Sequence, residues 1–217
     1  MVETRQPGSM GAIPKIVHFI WLQGPEHLQL HRPSYWENVQ RTKSIFGQLW
    51  EIKLWDAAAI EALIRADAPS VLSRFLDLNR AAMKADIARV VILRRYGGIY
   101  LDTDFFVKQS LEPLCHLTAG PYVALRHIPL GSFVHSLLNN SLSSKPESLQ
   151  NYILISSPQH PVWDLFIEHV ADFRARRPLE HPVLYYIRFT SLNAVGRAVH
   201  RYMAESRRPL PTLSSRT

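Results

Sequence analysis

The sequence predicts an α/β fold on two observations. Strand-like and helix-like patterns alternate along the N-terminal half, and 217 residues with 47% hydrophobic content suit one domain with a substantial core. We expect residues 13–205 to form this single domain, with flexible segments at 1–12 and 206–217.

The chain opens with a strand, a helix and a second strand. Residues 15–22 (KIVHFIWL) are apolar, β-branched and aromatic, which is typical of a buried strand with His18 as a core histidine. Residues 32–47 have helical spacing and stop at Gly47, a residue type that often ends helices. Residues 49–56 (LWEIKLWD) alternate like a strand, whose apolar face consists of Trp50, Ile52 and Leu54.

Two helices and a third strand follow. Residues 56–67 form a helix capped by Asp56, and residues 79–96 form a longer helix that stops at a glycine pair. The strand IYLD (99–102) comes directly after this pair. The resulting β-α-β-α order favours a parallel sheet. The apolar stripe of the longer helix consists of Met83, Ile87, Val90, Val91 and the stem of Arg94.

The C-terminal half contains two more strand candidates and two more helices. The strands are PYVAL (121–125) and NYILIS (151–156), and the helices are 160–176 and 190–205. The stretch 127–150 between the strands is rich in turn residues, and its length predicts a functional loop.

The composition argues against several classes of protein. The lone Cys115 rules out an internal disulfide framework and a cysteine-based zinc site, and it favours a reducing, cytoplasmic compartment. No stretch is apolar over the roughly 18 residues that a membrane helix needs, although attachment to a membrane surface or delivery into a host cell stays open. The net charge of +7 is scattered, so it indicates attraction to phosphates such as those of a nucleotide more than nucleic-acid binding.

The segment YGGIYLDTDFF (96–106) places two carboxylates, Asp102 and Asp104, at the end of an apolar strand. Like charges two residues apart in an extended segment point to the same side and repel each other unless water or a cation separates them. Because hard carboxylate oxygens suit Mg²⁺ or Mn²⁺, the pair predicts a divalent metal site. A solvated turn is the simpler alternative.

Asp86 and Arg89 lie one turn apart on the preceding helix. Asp86 is 11 residues before the glycine pair, roughly 16 Å along the helix, and Asp102 is four residues past it, roughly 13 Å along the strand. Because the glycines reverse the chain, these distances nearly cancel, and all three residues should converge with Asp104 at the carboxyl edge of the sheet, where ligands bind. The alternative for Asp86 and Arg89 is an ordinary surface ion pair.

Three segments carry a resemblance to a known family: IPKIVHFIWLQG (13–24), KADIARVVILRRYGGIYLDTDFFV (84–107) and NYILISSPQHPVW (151–163). They resemble the sugar-binding DXD region of family 32 glycosyltransferases, the group of yeast-type initiating α-1,6-mannosyltransferases. The glucosylating large clostridial toxins have a similar pattern. The resemblance covers roughly residues 13 to 165, and its combined motif is far more specific than a lone DXD.

The resemblance implies a GT-A fold, a Rossmann-like sandwich with a mostly parallel sheet, and a UDP- or GDP-sugar donor. It also implies that Mn²⁺ or Mg²⁺ binds the DXD pair, with Asp104 as the direct ligand. In such enzymes the residue at Asp102 contacts the metal through water or holds the ribose and sugar. A divalent ion at this place stabilises the departing diphosphate as a Lewis acid.

Four further positions match donor-binding residues of the family. Asp86 and Arg89 match the pair that grips the donor sugar hydroxyls. Tyr100 matches the tyrosine beside the donor, and strand alternation aims it with Asp102. Trp21 matches the tryptophan that lies against the nucleotide base, with a core tryptophan as the alternative.

These matches predict a retaining, metal-dependent glycosyltransferase with a glycan, lipid or protein acceptor. The three aspartates are already assigned to the metal or the donor, so an inverting reaction would need another base, such as Glu147 in the 127–150 loop. Departures from the family are Thr190-Ser191-Leu192 in place of Thr-Gly-Pro and the lack of the C-terminal His and Trp. The missing C-terminal residues leave a catalytically inactive nucleotide-sugar or protein-binding module as an alternative. A metal-dependent phosphohydrolase is a less favoured one, because LDTDFF (101–106) superficially resembles an Asp-x-Asp phosphatase loop.

Overall fold

The computed structural model describes residues 12–115, 122–127, 147–173, 185, 189–190, 192–206 and 213–214. The strands are β1 (Ile16–Ile20), β2 (Glu51–Trp55), β3 (Gly98–Leu101), β4 (Tyr122–His127), β5 (Glu147–Ser156) and β6 (Leu213–Ser214). They form one six-stranded sheet in the order β2-β1-β3-β5-β4-β6. This mixed α/β arrangement agrees with the fold class predicted from the sequence.

The N-terminal half of the sheet is parallel. β1 pairs with β2 on one side and with β3 on the other, so that Val17 lies opposite both Ile52 and Ile99. Four of the five residues of β1 are buried, as expected for an apolar strand covered on both faces. The sheet is not parallel throughout, because β5 runs antiparallel to β3 and β4.

The helices are α1 (Pro25–His31), α2 (Pro33–Phe46), α3 (Ala57–Asp67), α4 (Leu72–Asp77), α5 (Ala81–Tyr96), α6 (Glu112–Cys115), α7 (Pro161–Asp172) and α8 (Leu192–Ser206). The predicted helix ends at Asp56 and Gly47 are confirmed. Asp56 accepts a hydrogen bond from the Ala59 N–H at 2.8 Å, and Gly47 ends α2 with a φ of 72°. The sequence did not predict α1, α4 and α6, which are too short for a clear helical period.

Side-chain alternation along β3 divides the core between the two faces of the sheet. Ile99 and Leu101 pack with residues of α1 and α2, whereas Tyr100 packs with α3, α5, α7 and α8. The first group is called here the α2 core and the second the α5 core. The side chain of Tyr100 therefore faces α5, the helix that carries Asp86 and Arg89.

The sequence prediction of a single apolar stripe along α5 is too narrow. Every residue from Asp86 to Leu93 is buried, including Asp86 and Arg89 themselves. A helix covered on all sides lies inside the molecule, and here the sheet and the flanking helices α3 and α7 enclose α5. The two charged residues of the predicted site are therefore interior groups.

The turn between α5 and β3 is held from both sides. Gly97 and Gly98 have positive φ values of 63° and 90°, and a Cβ on Gly98 would lie 2.5 Å from the carbonyl oxygen of Ile16. The Nε2–H of His18 donates to the Gly97 carbonyl at 2.9 Å, while His18 Nδ1 accepts from the indole N–H of Trp55 at 3.2 Å. His18 is thus a core histidine, as predicted, and its partners require the neutral ring.

Part of the predicted 127–150 loop is a strand. β5 begins at Glu147, so residues 147–150 pair with β4, and residues 128–146 lie outside the described ones.

In the predicted tail, Leu213–Ser214 pairs with β4, and Ser206 is the last residue of α8. Residues 1–11 lie outside the described ones. Within the described part of the chain, no helix is long and apolar enough to cross a membrane.

Burial lowers the pKa of His18 from 6.5 to about 4, which makes stability depend on pH. Between pH 6.5 and 4 the histidine binds a proton in the unfolded chain but not in the folded one. The contribution of His18 to the free energy of unfolding therefore falls by about 3 kcal/mol as the pH drops from 6.5 to 4. We expect the free energy of unfolding, measured with urea across this pH range, to fall by about 3 kcal/mol less in His18→Gln than in the parent. His31→Gln, at an exposed position, is the control. Parallel pH profiles for parent and His18→Gln would contradict the neutral buried ring.

Candidate active site

Two parallel strands bring their carboxyl ends to one edge of the sheet. In the register of β1 and β3, His18 lies beside Tyr100, which places Ile20 level with Asp102 just past β3. Trp21 follows directly after β1 at the same edge. The N-terminal and central parts of the predicted site therefore meet where ligands bind in open α/β sheets.

Asp86, Arg89 and Asp102 form a charged cluster at this edge. Arg89 Nη2 lies 2.9 Å from Asp86 Oδ1, and Arg89 Nη1 lies 3.6 Å from Asp102 Oδ1. The side chains of Asp86 and Arg89 are only 2% and 7% exposed, whereas that of Asp102 is 31% exposed. The predicted convergence of these three residues is confirmed, and the alternative of a surface ion pair is wrong because the pair is buried.

Tyr100 contacts both Asp102 and Arg89 of this cluster. Its hydroxyl donates to Asp102 Oδ1 at 2.6 Å, and the Arg89 guanidinium lies 4.7 Å from the centre of its ring. Burial raises the pKa of Tyr100 well above its usual value, and the nearby Asp102 acts in the same direction while Arg89 opposes it. The hydroxyl therefore keeps its proton and donates to the carboxylate. A role of Tyr100 beside the donor stays a prediction, since the side chain is buried and holds Asp102 in place.

Thr190 closes the cluster on the side of Asp86. Its hydroxyl donates to Asp86 Oδ2 at 3.3 Å, a bond between residues 104 positions apart. The sequence marked Thr190 only as a helix start and as a departure from the family pattern. The contact places Thr190 against Asp86, two residues before the start of α8.

The loop that follows Asp102 is a turn and not a continuation of the strand. The Phe105 N–H bonds to the carbonyl of Asp102 at 2.9 Å, so Asp104 does not lie in extended backbone, contrary to the sequence expectation. Asp104 is exposed, and it has no hydrogen-bond or ion-pair partner among the described residues. Its whole carboxylate is therefore open to a ligand.

Helix α2 holds this loop on both sides of Asp104. Asn38 Nδ2 donates to the carbonyl of Thr103 at 3.1 Å, and Arg41 Nε donates to the carbonyl of Val107 at 2.9 Å. Asn38 and Arg41 are three residues apart and share one face of the helix. The backbone around Asp104 is thus fixed although its side chain is exposed.

The acidic pair has suitable atoms for a divalent cation. Asp104 offers both carboxylate oxygens, and Asp102 offers Oδ2, because Tyr100 and Arg89 engage its Oδ1. Mg²⁺ is commonly held by one or two carboxylates together with substrate phosphates and water. No group of three or more His, Cys, Asp or Glu side chains that could hold a metal occurs in the described ranges. The donor set therefore fits a cation that a phosphate-bearing ligand completes.

Trp21 is neither fully buried nor fully exposed. Its indole N–H donates to His27 Nδ1 at 3.2 Å, and its ring meets the edge of Tyr35 at a centroid distance of 6.3 Å. Helices α1 and α2 therefore fix the orientation of the ring while part of it stays accessible. Stacking against a nucleotide base remains a prediction for this residue.

Residues 33–119 match the family described as glycosyltransferase sugar-binding region containing DXD motif. The match includes Asp86, Arg89, Tyr100, Asp102 and Asp104. The matched stretch is 87 of the chain's 217 residues, and it is similar to the DXD region of glycosyltransferases. The family resemblance inferred from the motif is thereby confirmed, and the loop held by α2 is its DXD loop.

Curated relatives of the DXD region agree with this assignment. An uncharacterized glycosyltransferase of Acanthamoeba polyphaga mimivirus is 28% identical over 159 residues, which are 73% of this chain and 55% of that protein. Inositol phosphoceramide mannosyltransferases 3 and 1 of Schizosaccharomyces pombe are 32% and 24% identical over 50% and 84% of this chain. The chain spans 29% and 50% of those two proteins, so it covers about half the length, or less, of the curated relatives.

Solved structures show the same fold at low sequence identity. PaToxG glycosyltransferase superimposes with a TM-score of 0.53 at 14% identity, over 89% of this chain and 71% of that one. A transferase mutant superimposes with a TM-score of 0.52 at 11% identity, over 91% of this chain and 86% of that one. The likeness confirms the predicted α/β fold of GT-A type.

We expect Asn38→Ala to loosen the DXD loop without unfolding the protein. The substitution removes one hydrogen bond to the backbone, worth about 1 kcal/mol, so amides of residues 103–107 should exchange with deuterium about fivefold faster. Exchange measured by mass spectrometry checks this, with the exposed Gln40→Ala on the same helix as the control. Unchanged exchange in Asn38→Ala would show that the Asn38 hydrogen bond does not restrain the loop.

Proposed function

We propose that this chain is a metal-dependent, retaining glycosyltransferase that moves a sugar from a UDP- or GDP-linked donor to an acceptor. The observation that carries the proposal is the contact of the buried Asp86–Arg89 pair with the partly exposed Asp102, two residues before the exposed Asp104. All four residues lie inside the matched region. Three carboxylates and one guanidinium give this site a formal charge of −3 + 1 = −2. A divalent cation would balance that charge and attract the diphosphate of a donor.

In this proposal Asp104 and Asp102 would hold Mn²⁺ or Mg²⁺. The bound ion supplies Lewis-acid stabilisation of the negative charge on the leaving diphosphate. The chain contributes a prepared ligand, because the Tyr100 hydroxyl fixes Asp102 at 2.6 Å and Asn38 fixes the backbone before Asp104. Little reorganisation is then needed when a donor binds.

Arg89 is the residue proposed to contact the donor sugar or its phosphates. Asp86 fixes one edge of its guanidinium at 2.9 Å, and the ring of Tyr100 supports its face. Asp86 itself is 2% exposed and accepts a hydrogen bond from Thr190, so a sugar hydroxyl that donates to Asp86 Oδ2 would replace that bond. Trp21 is proposed to present its half-buried ring to the nucleotide base.

The carboxylates of the site favour retention of configuration. Asp86 is bonded to Arg89 and Thr190, while Asp102 and Asp104 serve the cation, so none is free to act as a base opposite the leaving group. Glu147, the alternative base, is the first residue of β5. It is five residues, or roughly 17 Å of strand, away from Tyr152, whose carbonyl accepts from the Asp102 N–H, so its backbone is far from the acidic pair. In same-face attack the acceptor oxygen bonds to the anomeric carbon, the bond to phosphate breaks, and the departing phosphate oxygen takes the acceptor's proton.

The names of the relatives supply a candidate sugar. Inositol phosphoceramide mannosyltransferases 3 and 1 are mannosyltransferases by name, so mannose is the first sugar to test on this chain. GDP-mannose therefore belongs in the donor panel beside UDP-glucose, UDP-galactose and UDP-N-acetylglucosamine.

We expect Mn²⁺ together with one of these donors to raise the melting temperature of the parent, since a ligand that binds the folded state stabilises it. Asp104→Asn keeps the shape of the side chain and removes its charge, so this variant should lose the Mn²⁺-dependent rise while its melting temperature without ligand is unchanged. Asp172→Asn, an exposed carboxylate at the end of α7, is the control. A full Mn²⁺-dependent rise in Asp104→Asn would refute the assigned role.

We expect an α-linked donor to yield an α-linked first product. Proton NMR can follow the anomeric signal of the sugar released by slow donor hydrolysis, in which water takes the place of the acceptor. The α-anomer should appear first and the β-anomer only later by mutarotation. A β-anomer as the first product would overturn the retaining mechanism.

A further inference from the structure

A cavity of roughly 380 Å³ lies outside the metal and donor cluster, between the end of α4 and the start of α5. α4 contributes Arg74 and Asp77 to its lining, and the α5 side contributes Arg80 and Met83. Phe189 also lines it. We call this space the α4–α5 cavity.

The cavity adjoins the donor-sugar side of the site. Met83 precedes Asp86 by three residues on α5, which puts the two on one face of the helix, roughly 4.5 Å apart along its axis. Phe189 is followed by Thr190, whose hydroxyl bonds to Asp86. A ligand in the cavity would therefore lie next to a sugar held at Arg89 and Asp102.

Two arginines of the cavity are uncompensated. In the described part of the chain, neither the Arg74 nor the Arg80 side chain has a hydrogen-bond or ion-pair partner. By contrast, Arg89, Arg94 and Arg201 each contact at least one carboxylate within 3 Å. The two arginines and Asp77 give the lining a formal charge of +2 − 1 = +1, which favours an anionic group.

The remaining walls suit a polyol ring more than an extended apolar chain. Asn79 and Tyr185 supply hydrogen-bonding groups, while Met83 and Phe189 supply apolar surface on which the C–H face of a ring can pack. The volume lies at the small end of the range for ligand sites. A single ring with one phosphate fits these features.

We propose that the α4–α5 cavity is the acceptor subsite and that it binds a polyol ring bearing a phosphate ester. Arg74 and Arg80 bind the phosphate through charge-assisted hydrogen bonds. Asn79 and Tyr185 bind ring hydroxyls, and one further hydroxyl is directed past Met83 towards the donor sugar. This assignment rests on the proposed transferase function and adds the chemical class of the acceptor.

The test compares the parent with the double variant Arg74→Met/Arg80→Met, which keeps much of the side-chain bulk and removes both charges. Arg95→Met, an exposed arginine at the far end of α5, is the matched control. The soluble probes are myo-inositol 1-phosphate, myo-inositol and inorganic phosphate, and their binding is measured by calorimetry without any donor. Phosphatidylcholine vesicles with and without phosphatidylinositol test whether the phosphate ester comes from a lipid headgroup.

We expect the parent and Arg95→Met to bind myo-inositol 1-phosphate more tightly than either fragment, and the double variant to bind it at least about tenfold more weakly. In transfer assays the acceptor KM should rise by a similar factor while the donor KM stays within about twofold. Transfer to the phosphatidylinositol vesicles would identify a lipid headgroup as the source of the phosphate ester, and transfer to myo-inositol 1-phosphate would identify a soluble source. Either result, or both, supports the proposal.

Three results would overturn the proposal. They are equal binding of myo-inositol 1-phosphate by parent and double variant, equal binding of myo-inositol and its phosphate by the parent, and loss of donor binding in the double variant, which would make the cavity part of the donor site. Donor binding and donor hydrolysis by the parent are measured separately. If the parent neither binds nor hydrolyses a donor, the transferase function is refuted. The calorimetric comparison still tests whether the cavity binds a phosphate ester, because it needs no donor.

Discussion

The tight turn at Gly97 and Gly98 is the constraint on which the site depends. A Cβ on Gly97 would lie 2.8 Å from the Ser156 carbonyl, and one on Gly98 would lie 2.5 Å from the Ile16 carbonyl, so the turn presses against β5 on one side and β1 on the other. His18 bonds to the same turn. Because α5 runs into the turn and β3 runs back from it, antiparallel to the helix, the position of the turn sets which residues of the helix stand level with the end of the strand.

The cluster placed by this turn is costly for stability. Burying Asp86 and Arg89 removes both charges from water, which costs free energy. The attraction between two buried charges seldom makes a protein more stable than an apolar pair of similar size would. The guanidinium also lies over the Tyr100 ring, a contact that a lysine ammonium could not reproduce together with the planar hydrogen bond to Asp86. Such a cluster is better understood as an arrangement kept for ligand binding than as one kept for stability.

The sequence predicted the site where contacts are local. Asp86, Arg89 and Asp102 follow from counting residues on either side of one turn, so helix rise and strand rise were sufficient to bring them together. Asn38 and Thr190 were missed because their contacts join residues 65 and 104 positions apart, and no periodic pattern encodes such contacts. The same limit explains β5: the turn-rich composition before residue 151 concealed a strand start that its pairing with β4 determines.

The loop after β3 is attached to both cores of the molecule. Asn38 and Arg41 tie it to α2 and the α2 core, whereas Asp102 at its start is bonded to Tyr100 in the α5 core. A ligand that bridges Asp104 and Arg89 therefore bonds across the sheet's two faces at once. Occupancy of this small site links the free energies of two packing units on opposite faces of the sheet, so the two layers should unfold more cooperatively when it is filled.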